Sequence, residues 1–65
     1  MVTKLIGKIE ANYALASVVA IELAGKKSAR FSSADSHALS AIRTMAERLG
    51  ATRVALAADA LVVRF

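Results

Sequence analysis

Cysteine, proline and tryptophan are absent from this 65-residue chain, and each absence removes a class of solution. Without cysteine there is no disulfide. One histidine and no cysteine cannot furnish the four ligands of a structural zinc site. No metal or cofactor is therefore expected. Aromatic residues are nearly missing too: Tyr13, Phe31 and Phe65 are the whole set. Base-stacking platforms of the kind that hold single strands are thus hard to build. The three glycines stand at 7, 25 and 50. Gly7-Lys8 and Gly25-Lys26-Lys27 lack the spacing of a phosphate-binding loop. The most apolar run, Ala14 to Ile21, is closed by Glu22 and falls short of the roughly 18 residues of a membrane span. A leader cleaved near Gly25 would leave about 40 residues, too few to fold alone. The expectation is a mature, cytoplasmic chain without a membrane role. No internal repeat or low-complexity segment stands out.

What is abundant is small apolar residues and positive charge. The hydrophobic fraction is 57%, above the roughly 45–50% of ordinary domains, and much of the excess is alanine. Alanine fills space but buries little area, and a chain this short buries only about 60% of its unfolded surface. With no disulfide or metal to help, a homodimer or higher oligomer is expected. Nine Lys and Arg against five acids give a net charge of +4 and a pI of about 10.2. That bias is compatible with nucleic acid, an acidic protein surface or anionic lipid, and does not choose among them. No block of five like charges occurs, so a basic tail is excluded.

Residues 34 to 49 carry the clearest pattern. Leu39, Ile42, Ala46 and Leu49 recur at helical spacing, opposite Ser36, Ser40, Arg43, Thr44 and Glu47. Ser32 or Ser33 is placed to cap this helix, with Asp35 in its first turn and Gly50 just past its end. Residues 52 to 65 read as a hairpin around Ala58-Asp59, with Leu56 facing Leu61, Val54 facing Val63 and Arg53 facing Arg64. Residues 17 to 33 read as a second hairpin. A three-residue loop, Gly25-Lys26-Lys27, sets Leu23 against Ala29, Glu22 against Arg30 and Ile21 against Phe31. That register matches like with like. Residues 2 to 16 admit two readings. Leu5 and Ile9 with Lys4, Lys8 and Glu10 fit a strand. Leu5, Ile9, Tyr13, Ala16, Ala20 and Leu23 also lie at the spacings of one long helix. The β-branched residues at 18, 19 and 21, and Gly7, favour strands.

The resulting expectation is one small α+β domain over residues 1–65, in the order β-ββ-α-ββ. An antiparallel sheet carries one helix on a face, and the terminal strands form edges open to edge-paired or strand-exchanged dimers. Ser33, Asp35, Ser36, His37 and Ser40 contain the letters of a catalytic triad, but they fall in one helix start, where capping accounts for them. Glu10, Glu22, Glu47 and Asp59 form no acid–base pair, so no enzyme is expected. The candidate contacts for nucleic acid or a protein partner are Lys26, Lys27 and Arg30 at a hairpin tip, helped by Lys4, Lys8 or Arg43. Two functions fit: a small regulatory module binding nucleic acid through phosphates, or an interaction module (inhibitor, adaptor or assembly subunit) that covers a partner's surface.

Overall fold

The computed structural model describes residues 1–65. Its elements run α1 (Val2–Glu10), α2 (Tyr13–Ala16), β1 (Ala20–Leu23), β2 (Ser28–Ser32), α3 (Ser36–Arg48), β3 (Arg53–Leu56) and β4 (Ala60–Arg64). Both hairpins have the register that side-chain matching requires. Ile21 faces Phe31 and Leu23 faces Ala29, while Val54 faces Val63 and Leu56 faces Leu61. The hairpins join through their second strands, which pair antiparallel with Ala29 against Val63 and Phe31 against Leu61. The sheet order is therefore β1-β2-β4-β3.

The pleat sorts residues by parity. Ala29, Phe31, Leu61 and Val63 point to one face and are fully buried. Against them pack Leu39, Ile42 and Ala46 from α3, and Val2, Leu5 and Ile9 from α1. Both long helices thus cover the same face of the sheet, and the other face has no layer over it.

The N-terminal segment corrects the expected first strand: residues 2 to 10 are helical, and the order is αα-ββ-α-ββ. Val2, Leu5 and Ile9 fall three and four apart on one stripe and are the buried residues of α1. Gly7 sits on the outer side, where an added Cβ would meet nothing within 4 Å. Its cost in a helix, about 1 kcal/mol against alanine, is outweighed by burying three apolar side chains at roughly 1.5–3 kcal/mol each. The single long helix is also excluded. The chain turns at 11–12, and Asn12 caps the short α2 through a 3.3 Å bond from the Leu15 N–H. The β-branched run at 18–21 leads into strand β1, so that signal was right for its own residues and silent about 2–10.

Helix α3 is capped by Asp35 rather than by Ser32 or Ser33. One Asp35 carboxylate oxygen accepts from the His37 and Ala38 N–H groups at 2.9 and 3.3 Å. Ser33 stands one step back, its hydroxyl oxygen accepting from the Asp35 N–H at 3.0 Å. Asp is the better acceptor because the helix dipole favours a full negative charge there. Gly50 ends α3 at φ +89° and Gly25 opens the β1–β2 turn at φ +129°, a region that only glycine enters freely. The expectation of edges at the chain ends is corrected as well. The edges are β1 and β3, and the C-terminal β4 lies inside the sheet.

Candidate functional site

The uncovered face of the sheet is built from the even residues of β1, β2 and β4 and the odd residues of β3. Its rows follow from the registers. Glu22, Arg30, Val62 and Ala55 form one row across the four strands, and Ser28, Arg64 and Arg53 form the next. Apart from the guanidinium groups and Glu22, the face is made of short side chains and Val62. Arg64 and Arg53 stand directly opposite, with Cβ atoms about 5 Å apart, and Arg30 lies one diagonal step away at about 7–8 Å. All three are exposed. Glu22, across from Arg30, is the only acid on this face. The chain's one ion pair lies elsewhere, between Arg43 Nε and Glu47 Oε2 at 3.7 Å on α3.

The β1–β2 turn extends this patch. The Phe65 N–H donates to the Lys27 carbonyl at 2.7 Å, pinning the turn to the end of β4. Ala24 to Ser28 and Arg64 together line an open depression. Lys26 and Lys27 therefore sit beside Arg64, with Arg53 next across the sheet and Arg30 one step inward. Arg30, Arg53 and Arg64 share the open face, and Lys26 and Lys27 lie at its end beside Arg64. Of the expected trio, Lys26 and Lys27 lie in the turn beside Arg64, and Arg30 lies on the open face one row further along β2. In the sequence Arg53 and Arg64 show only as facing residues of one hairpin. Alternation placed them on the same side as each other, but only the β2–β4 pairing sets them beside Arg30.

The other three expected contacts lie apart. Lys4 and Lys8 are exposed one turn apart on α1, in the helical layer. Lys8 lines a shallow depression with Met45, Arg48 and Leu49 of the α3 end. They guard no sheet edge, because their segment is a helix. Arg43 is on the exposed side of α3, engaged with Glu47. None of the three shares a face with Arg30, Arg53 and Arg64.

The Ser-Asp-His letters have structural roles. Asp35 and Ser33 are occupied in the cap, and His37 enters it through its backbone N–H. No helix of the chain is long and apolar enough to cross a membrane. Comparison with known proteins found no matching family model, no matching curated protein and no matching solved structure.

Proposed function

We propose that this chain is a small basic, non-enzymatic regulatory module that binds nucleic acid through backbone phosphates on the open face of its sheet. The observation that carries this is the grouping of Arg30, Arg53 and Arg64 on an uncovered face, continued by Lys26 and Lys27 at its end and opposed by one acid. Like charges directly across a ladder cost stability unless an anion offsets them. An arginine fork meets a phosphate through two hydrogen bonds. Small side chains around the guanidinium groups let a backbone approach closely. Stacking plays little part: Phe31 is in the core, Phe65 packs on it, and Tyr13 stands on α2. Phosphate contact without base readout predicts weak sequence preference and strong salt dependence.

The test is duplex binding over a salt series. Five engaged cations give a slope of log K against log salt of about −4 to −5. Arg64→Gln and Arg30→Gln should each weaken binding and shallow the slope by about one. Absence of any duplex retardation at low salt sinks the proposal.

A second function has its own support. Leu23 on β1 and Leu56 on β3 are 66% and 46% exposed, at the two open sheet edges. An apolar side chain beside an unpaired strand is what an added partner strand covers. A pull-down that retains a protein after nuclease treatment, and no nucleic acid before it, would favour this interaction module.

A further inference from the structure

The two open edges differ in charge and in hydrogen-bonding pattern. The Ala24 N–H donates to the Ser28 carbonyl at 3.0 Å. In an antiparallel ladder, alternate residues bond to the same neighbour. Ala20, Glu22 and Ala24 therefore face β2, and Val19, Ile21 and Leu23 turn their N–H and C=O groups outward. On β3 the Ala57 N–H donates to Ala60 at 2.7 Å, so Val54 and Leu56 face outward there. Natural edges are usually blunted by lysine, proline or a bulge. Edge β3 carries Arg53, next to Arg64. Edge β1 carries no cation and no proline, and its register with β2 is unbroken. It is the strand with an acid on a chain of net charge +4, and it ends in the most exposed leucine of the molecule.

We infer that the chain self-associates through β1, two copies pairing this strand antiparallel about a twofold axis at Ile21. An axis perpendicular to the sheet keeps the helices of both copies on one side. Residues of like parity must then meet, which leaves few registers. Centring on Ile21 makes it a hydrogen-bonded pair with its own copy. It also sets Leu23 against the second copy's Val19, with both of their outward groups engaged. Leu23 and Val19 share the helix side, so exposed apolar surface closes on apolar surface. Glu22 then faces Ala20 of the second copy. Centring on Glu22 instead sets two carboxylates directly opposite and forms fewer bonds, because Glu22 already spends its backbone groups on β2. An acidic partner strand is disfavoured on this edge by Glu22 and would choose the arginine edge. A copy paired through β3 would bring four arginines, Arg53 and Arg64 twice over, toward one seam. Pairing through β1 leaves Arg53 at both ends of the joined sheet, where it opposes further growth.

This pairing does not depend on nucleic-acid binding, and its test contains none. The mass of nuclease-treated protein is measured in solution for the natural sequence, Ala20→Glu and Ala20→Lys. Ala20 is exposed on the open face, so both variants fold alike, which circular dichroism verifies. The natural chain and Ala20→Lys should run at twice the 6.8 kDa of one chain, the lysine meeting Glu22 of the second copy. Ala20→Glu places carboxylates face to face twice. It should raise the dissociation constant about tenfold or more and expose the Ile21 and Leu23 amides to hydrogen exchange. A natural chain at the mass of one copy overturns the inference. So does a dimer that Ala20→Glu leaves intact with Ile21 and Leu23 unprotected, because another surface would then hold it.

Discussion

Asp35 holds the start of α3 with a single oxygen that serves two backbone donors. Replacing it with alanine removes both bonds and leaves the Ser33 hydroxyl still accepting from the backbone N–H of residue 35. The expected loss is about 1 kcal/mol of unfolding free energy, read from the urea midpoint at constant slope. For a domain of this size, whose total stability is roughly 3–10 kcal/mol, that is a visible fraction. Asp35→Asn retains the acceptor and should lose only a few tenths. The choice among Ser32, Ser33 and Asp35 was not legible in the sequence. All three are good caps, and the winner depends on where β2 releases the chain.

At the scale of elements, legibility tracked how local the deciding interaction is. Each hairpin register follows from side-chain matching within 15 residues of sequence, and both registers are found in the structure. The α3 stripe, cap region and terminal glycine agree, and the helix forms at Ser36–Arg48. The segment 2–10 has no such agreement. Its apolar spacing fits a helix, its glycine argues against one, and what decides is the space that α3 and the sheet leave for Val2, Leu5 and Ile9. A direct consequence concerns Gly7. It lies in a helix with open space around it, so Gly7→Ala should stabilise the domain by about 0.5–1 kcal/mol, seen as a raised thermal midpoint. Gly50→Ala should do the opposite by about 1–2 kcal/mol, because alanine is strained at φ +89°. The Arg43–Glu47 pair, exposed on both sides, contributes too little to matter at this scale.

For the whole molecule, the decisive contact is between β2 and β4, which are far apart in sequence. No local pattern specifies that pairing, which is why the strand order and the arginine cluster were hidden while Lys26, Lys27 and Arg30 were not. The packing of α1 on the other face of the sheet separates two sets of cations. Lys4→Ala with Lys8→Ala removes as much charge as Arg30→Gln with Arg64→Gln. If the open face binds phosphates, the lysine pair should change affinity for duplex by less than about threefold, and the arginine pair by tenfold or more, in retardation assays at fixed salt. Equal effects would mean that net charge alone, and no face, is being sensed.

The order β1-β2-β4-β3 has one further implication. Apart from the short α2, each half of the chain is a helix followed by a hairpin, and the halves meet across β2 and β4, as two short chains related by an approximate dyad would meet. Residues 33–35 are then the tether that makes one polypeptide of two complementary pieces. Peptides spanning 1–34 and 35–65 should each be unstructured alone. Mixed in equal amounts, they should recover the far-ultraviolet circular dichroism of the intact domain.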